Sequence, residues 1–263
     1  MPRLTAPRAT PPLRLARRLR AGARRRGFVL DHDGTLVRFR RDPALAFPSR
    51  RARRAVEALL RRGHRVCIAS GRPLSFLREA WPLPGLDLAG SHGGELATAE
   101  GKAAVRPDRR GGAARAMERA LRRALRSCPA GLRVERKPAG VAVHVRGIPA
   151  RGRFVWLGRA RAAVAAALPP GFELIEGSWV IEARRHGTHK GRIPAGLRRA
   201  SRSWRVLPVV AVGDDRTDED LFAALRPGDL GVLVSRAPRA TAARARLRSP
   251  GDAVRFLAAA GRS

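Results

Sequence analysis

Phe28-Val29-Leu30-Asp31-His32-Asp33-Gly34-Thr35-Leu36 is the stretch on which the fold turns. The apolar triplet Phe28-Val29-Leu30 reads as a short buried strand. Two carboxylates two positions apart follow it. Side chains alternate along extended backbone, so Asp31 and Asp33 can share one face at the strand's end. Gly34 then allows a sharp bend. Carboxylates this close suit holding a cation, or a division of labour in which one attacks and the other handles protons. The competing reading is an ordinary surface turn, where Asp and Gly are common. His32, between the two acids, faces the opposite side of the strand.

Outward from this stretch, strands alternate with helices. A helix is expected over 48–62, with Ala52, Val56, Leu59 and Leu60 on one face, and a buried strand over 64–69 ending in Ser70-Gly71-Arg72-Pro73. A short helix over 74–80 and a strand over 86–89 come next, the strand ending in Gly90-Ser91-His92-Gly93-Gly94-Glu95. This alternation indicates a parallel α/β sheet, which binds ligands beyond the carboxyl ends of its strands. Asp31, Ser70 and His92 each fall just after a strand. After Glu95 the pattern becomes β-β-α-β-β-α-β-β: a hairpin over 95–105, a helix over 113–126, strands over 132–136 and 141–146 turning at Ala139-Gly140, a helix over 154–168, and a strand pair over 172–183. The α/β pattern then resumes with a helix from Lys190 and a strand over 206–212. A helix over 221–225, a strand over 230–234 and helices over 238–246 and 252–260 close the chain. The expected organisation is a flexible basic leader over 1–26, a core over 27–95 and 184–263, and an inserted α+β module over 96–183.

The chain's 263 residues suffice for a core that needs no disulfide staples. Cys67 and Cys128 suggest neither a disulfide framework nor a zinc site, which points to a reducing, cytoplasmic setting. No apolar run approaches the length of a membrane span. Lysine and arginine total 55 against 21 acids, a formal net charge of +34. That charge invites a nucleic-acid or membrane-surface reading. The scatter of the arginines, the absence of Asn, Gln and Tyr, and an aromatic content of 5% instead match the coding bias of a G+C-rich genome, so no specific nucleic-acid partner is expected. The bias makes exceptions informative. Lysine survives only at 102, 137 and 190, and five of the acids crowd between Asp214 and Asp220. Lysine is a compact point charge where arginine is a wide fork, so the survivors mark places that need the compact charge. Carboxylates so crowded repel unless cations or hydrogen bonds offset them. Asp218, Glu219 and Asp220 suit a helix N-terminus. Asp214 follows a buried strand through Gly213, as Asp31 follows its own, and the two together could grip one Mg²⁺. His186 and His189 lie on a loop and are not read as metal ligands.

The set D-x-D-G-T-L at 31–36, S-G-R at 70–72, Lys190 and G-D-D-x-T-D-E at 213–219 resembles the haloacid dehalogenase (HAD) superfamily of aspartate-dependent phosphatases. Further segments resemble the trehalose-6-phosphate phosphatases within it: G-x-H-G-x-E at 90–95, E-x-K at 135–137, A-x-H-x-R at 142–146, and Val180-Ile181-Glu182 leading to Lys190-Gly191. The resemblance implies a Rossmann-like HAD core with a parallel sheet plus an inserted α+β cap of C2 type. It implies Mg²⁺-dependent hydrolysis of a small sugar phosphate, trehalose 6-phosphate, through an aspartyl-phosphate. Asp31 would be the nucleophile and Asp33 the acid and base. Ser70 and Lys190 would serve the phosphoryl group. The metal would take Asp31, Asp214 and the backbone carbonyl of Asp33, with Asp215 and Asp218 behind them and Asp218 orienting Lys190. Sugar contacts would come from Arg72, His92 and Glu95 in the core and from Glu135, Lys137, His144, Arg146 and Glu182 in the cap. Val145, Ala183 and Arg185 depart from the family's usual residues at positions that shape the hinge and sugar pocket. Two other readings stay open: a phosphatase of sucrose phosphate or mannosyl-phosphoglycerate type, and a basic nucleic-acid-binding protein. Oligomeric state is left open.

Overall fold

The computed structural model describes residues 4–22, 25–40, 42–101, 103–105, 112–137, 140–177 and 179–262; Lys102 and the turn residue Ala139 lie outside them. Five consecutive buried residues, Gly27–Asp31, form strand β1 at the middle of an eight-stranded sheet. Strands β2 (Arg65–Ala69) and β3 (Asp87–Gly90) follow it on one side, all parallel. On the other side lie β10 (Val209–Gly213), β11 (Leu230–Val234) and β12 (Ala245–Leu247), also parallel. The strands are mostly apolar because helices cover both faces. Alternate residues go to opposite cores. Phe28, Leu30, Val66, Ile68, Val210 and Val212 meet α2 (Arg50–Arg61), α3 (Leu74–Ala80) and α9 (Pro250–Ala260). Val29, Cys67 and Ala211 meet α6 (Ile193–Ala200), α7 (Arg202–Val206) and α8 (Thr217–Ala223). Gly27 admits the Trp204 ring, since a Cβ there would lie 2.3 Å from it. The Trp204 indole then donates to Asp87.

The chain divides into two compact units, Met1–Ala104 with His189–Ser263, and Val105–Thr188. In the second, strands β6 (Arg133–Lys137), β7 (Gly140–His144), β8 (Phe172–Gly177) and β9 (Val180–Arg185) form a sheet of order β6-β7-β9-β8. One face packs Val141, Val143, Ile181 and Ala183 against α4 (Gly112–Ala124) and α5 (Ala150–Ala166).

Three expectations fail, each for a physical reason. The hairpin over 95–105 extends the core sheet, as β4 (Glu95–Ala97) beside β3 and β5 (Ala103–Val105) beyond it, because β4 pairs antiparallel with β3 through the Gly90 turn. The segment 238–246 is not helical. It carries β12 instead, whose Ala245, Arg246 and Leu247 are all buried and pair parallel with β11 as the last strand of the sheet. The leader is not a free tail over its described residues. Thr5 and Thr241 exchange backbone hydrogen bonds of 2.9 Å, and helix α1 (Pro12–Arg20) buries Leu15, Ala16 and Leu19 in the core that α9 also lines. Among the described residues no helix is long and apolar enough to cross a membrane.

Candidate active site

The carboxyl ends of β1, β2 and β10 meet at the switch point of the core sheet. Asp31 pairs in register with Ala69, and the His32 amide donates to the Ala69 carbonyl, so Ser70 follows directly beside the Asp31 turn. Ser70 is buried, and its hydroxyl accepts the Arg72 amide at 3.1 Å. His32 turns into the core, where it accepts from the Trp81 indole at 3.0 Å and meets the Ala46 carbonyl at 2.9 Å. Burial lowers its pKa.

Lys190, 3% exposed, holds the site together. Its ammonium donates to Asp31 Oδ1 at 2.5 Å and Asp218 Oδ1 at 2.7 Å. Asp218 is fully buried, and its other oxygen accepts the amides of Asp214 and Asp215, both at 3.0 Å. One aspartate thus fixes both the lysine and the turn that carries Asp214. Asp215 takes part through its backbone, and its carboxylate accepts the Arg216 amide.

Asp31, Asp214 and Asp218 place carboxylate oxygens within 4.8 Å of one another. With Asp218 satisfied, Asp31 and Asp214 remain as the open pair. Asp31 Oδ2 is buried and meets no donor. Asp214 sits over Gly34, where a Cβ would approach its carboxylate to 2.1 Å, and it accepts the Thr35 hydroxyl at 3.0 Å. Gly34 has φ +82°, a backbone that glycine adopts without strain. Burial, then the neighbouring carboxylates, pushes Asp31 well above the ordinary range against the pull of Lys190. Asp214 is pushed up to about 7, by burial first and the Asp218 charge second. Two facing carboxylates with an orphaned buried oxygen are a fitting cradle for a hard divalent cation, which takes carboxylate ligands.

The Asp33 side chain stands apart from this cluster. Arg72 grips it in a fork, Nε to Oδ2 at 2.6 Å and Nη2 to Oδ1 at 2.8 Å, and lies over the Phe76 ring at 4.2 Å. Burial would raise the Asp33 pKa, but the Arg72 fork, with help from His32 and Lys190, holds it below the ordinary value. Arg72, expected on a sugar, is therefore seated on a catalytic candidate. Glu95 is also engaged within the fold: its Oε2 accepts the Leu74 amide at 3.1 Å and the Ser91 hydroxyl at 2.6 Å. His92 adopts φ +54° and lays its ring over Gly71, where a Cβ would come within 2.4 Å.

In the second unit, strand register puts Glu135, Lys137, His144 and Glu182 on the sheet face opposite α4 and α5. They form an ion pair, Lys137 to Glu182, and a hydrogen bond between Glu135 and His144, each at 2.7 Å. Arg146 follows β7 in a turn. Val145 and Ala183 do not line that polar face; both are buried in the unit's own core, so their departure from the usual residues is a packing choice. Arg185 is exposed, with its guanidinium over the Phe172 ring at 6.0 Å.

Two contributors escape a sequence reading. Thr35 was within the quoted motif but had no assigned task. Arg239 donates to Glu219 at 2.6 Å and to the carbonyls of Asp214 and Asp215, both at 3.3 Å, bracing the acidic turn. Nothing distinguishes it in sequence from the many other arginines.

Comparisons with known proteins bear on the family and the fold. The family model described as trehalose-phosphatase matches residues 29–251. The trehalose-phosphate phosphatase of Mycobacterium marinum is 36% identical over 240 residues, which cover 86% of this chain and 59% of that protein. That of Mycobacterium tuberculosis is 33% identical over 260 residues, covering 89% and 61%. The chain thus spans about three fifths of the length of these curated relatives. The C-terminal domain of the Candida albicans trehalose-6-phosphate phosphatase superposes with a TM-score of 0.82 at 22% identity, covering 98% of each chain, which shows the fold. With a family match over most of its length and a HAD-type core bearing a second α+β unit, this chain belongs to the trehalose-phosphatase family.

Proposed function

We propose that this chain hydrolyses trehalose 6-phosphate to trehalose and phosphate through an aspartyl-phosphate on Asp31, with Mg²⁺ held by Asp31, Asp214 and the backbone of Asp33. The observation that carries the proposal is the buried lysine bridging Asp31 and Asp218 beside the open Asp31–Asp214 pair, in a chain of this family. Asp31 attacks the phosphorus and the bond to the sugar oxygen breaks. Asp33 gives that oxygen a proton, then takes one from the water that attacks the phosphorus and releases Asp31. Ser70 donates to a phosphoryl oxygen, and Lys190 balances the charge that gathers beside Asp31. The cation, when bound, neutralises charge on the transferring phosphoryl group. The second unit is the cap in this reading, and Glu135, Lys137, His144, Arg146 and Glu182 supply its sugar contacts, with His92 and Glu95 from the core. The free thiols of Cys67 and Cys128 suit a cytoplasmic location.

The Arg72 fork suits Asp33 as the base, because it favours the ionised carboxylate. The acid half of the cycle requires Arg72 to let go. Arg72→Met leaves burial as the dominant influence, so the acidic limb of the kcat profile moves to higher pH. A profile with an unmoved acidic limb would show that Arg72 does not tune Asp33.

Asp214 yields a second expectation. Its folded pKa of about 7 lies above the ordinary 3.8, so between those values the cation-free folded state binds more protons than the unfolded chain. Stability contributed by this group is therefore full at low pH and is lost as pH rises toward about 7. A cation that binds the ionised pair reverses the loss. The gain in Tm on adding Mg²⁺ is larger at about pH 8 than at about pH 6. Differential scanning fluorimetry checks this, and an equal gain at both values would contradict it.

Phosphate release from trehalose 6-phosphate, beside sucrose 6-phosphate, mannosyl-3-phosphoglycerate and glucose 6-phosphate, tests the substrate. Preference for trehalose 6-phosphate is expected. Preference for another sugar phosphate would keep the chemistry and overturn the reading of the cap.

A further inference from the structure

We infer that a cleft at the opposite end of the core sheet, between α1, the start of β1 and the end of α2, binds a small organic phosphate. The inference is independent of the catalytic reading. It absorbs the basic leader, for which the catalytic site has no use.

The cleft has a volume of about 320 Å³, within the range of small-molecule sites. Arg20, Arg25, Arg26 and Arg62 line it together with His64. Its apolar lining is Leu19, Phe28 and Ala260. Arg26 and His64 directly precede β1 and β2, whereas Asp31 and Ser70 lie at the other ends of those strands. Gly27 to Asp31 spans about 13 Å of extended chain, so the two sites are separate.

The guanidiniums here differ from four others of the core unit, whereas buried Arg246 is satisfied by backbone carbonyls. Arg65, Arg72, Arg198 and Arg239 each have a carboxylate within 2.9 Å. Among the described residues none of the four cleft arginines has one. Arg26 is the telling case. It is half-buried, its Nη2 donates to the Leu19 carbonyl at 3.2 Å, and its Nε is buried without a partner, as are those of Arg65 and Arg198, which unlike it hold a carboxylate through their other nitrogens. Two glycines make room for this crowding. Arg26 passes over Gly22 and Arg25 lies against Gly63, where added Cβ atoms would approach the guanidiniums to 2.7 and 3.2 Å. His64 accepts the Arg26 amide on Nδ1 at 3.1 Å, which leaves its proton on Nε2 as another donor. Burial and then the charges of Arg62, Arg26 and Arg25 hold His64 down to about 4, an internal gauge of uncompensated positive charge.

Guanidinium forks match phosphate oxygens in pairs, and a phosphate's double charge answers several arginines better than a single carboxylate does. The apolar lining and the volume call for an organic body attached to the phosphate. A local, half-open concavity also suits a small molecule better than an extended polyanion, which would need a stripe of charge along the surface.

The test uses the full chain with adenosine 5′-monophosphate as probe, at about 0.15 M salt so that diffuse attraction is screened. The side-chain ¹⁵N resonances of histidine are followed, with His64→Gln for assignment, and calorimetry gives the affinity. Saturable movement of the His64 resonances is expected. Arg25→Ala with Arg62→Ala, both at exposed side chains, should weaken binding at least tenfold. Arg50→Ala with Arg54→Ala removes the same charge from exposed positions of α2 outside the cleft and should leave affinity within twofold. Unmoved His64 resonances, equal losses in the two double variants, or adenosine binding as tightly as its monophosphate would each overturn the inference.

Discussion

Asp31→Asn should abolish phosphate release, by on the order of 10⁴-fold or more, while leaving the fold intact. The asparagine amide fills the same space but is no nucleophile, and it offers a cation beside Asp214 only a neutral oxygen in place of a charged one. Stability should move the other way. Asp31 is 3% exposed and shares its site with two further carboxylates, so burial and like charge disfavour its ionised form. A folded pKa raised in this way means stability is lost as pH rises through it. The neutral variant escapes that loss, so its cation-free Tm near neutral pH should equal or exceed that of the parent. Thermal melts beside the phosphate assay separate the two effects. An inactive variant with a depressed Tm would mean that the assay had registered unfolding.

Lys190→Met has the opposite signature. Lys190 is the buried cation that two buried aspartates share, and its removal leaves Asp31, Asp214 and Asp218 facing one another. Breaking a buried pair by deleting one partner costs about 3–5 kcal/mol. For a chain of this size that is a fall of roughly 10 °C in Tm. Activity should drop on the order of 10³-fold, since the charge beside the phosphoryl group goes with it. Lys190→Arg should not rescue either property. The ammonium sits between oxygens at 2.5 and 2.7 Å in a closed slot, and a planar fork has a different reach and shape. A fully active arginine variant would refute this account of why lysine persists here in a chain that otherwise uses arginine.

Sequence legibility followed the physics of each segment. The carboxyl ends of β1, β2 and β10 were readable because short apolar runs ended in unusual polar residues, and a parallel sheet gathers such ends. The rarity of lysine and the crowding of acids exposed Lys190 and Asp214 against a biased background. That same bias hid other features. In α1 a short helix over 13–19 was legible, but the stripe Leu15, Ala16, Leu19 was lost among arginines, so its docking was not and the segment read as a solvated tail. Around β12 the alanine and arginine content suggested a helix, while the pairing with β11 that makes it a strand has no local signature. Partner choice was least legible. Arg72 on Asp33, Glu95 on the Leu74 amide, and Arg239 on the acidic turn depend on tertiary distances with no local signature. Val145 and Ala183 were expected at the hinge and sugar pocket because they depart from the residues usual at those positions of the family that the sequence resembles. Strand alternation sends their side chains into the core instead.

The most direct measurement is mass spectrometry of the acid-quenched enzyme during turnover of trehalose 6-phosphate with Mg²⁺, after digestion to the peptide that contains Asp31. The account predicts one added phosphoryl group on that peptide, localised to Asp31 and absent from Asp31→Asn. A phosphoryl group on another residue would contradict the assignment of the nucleophile. Turnover with no phosphorylated peptide under conditions that trap such intermediates would contradict covalent catalysis itself.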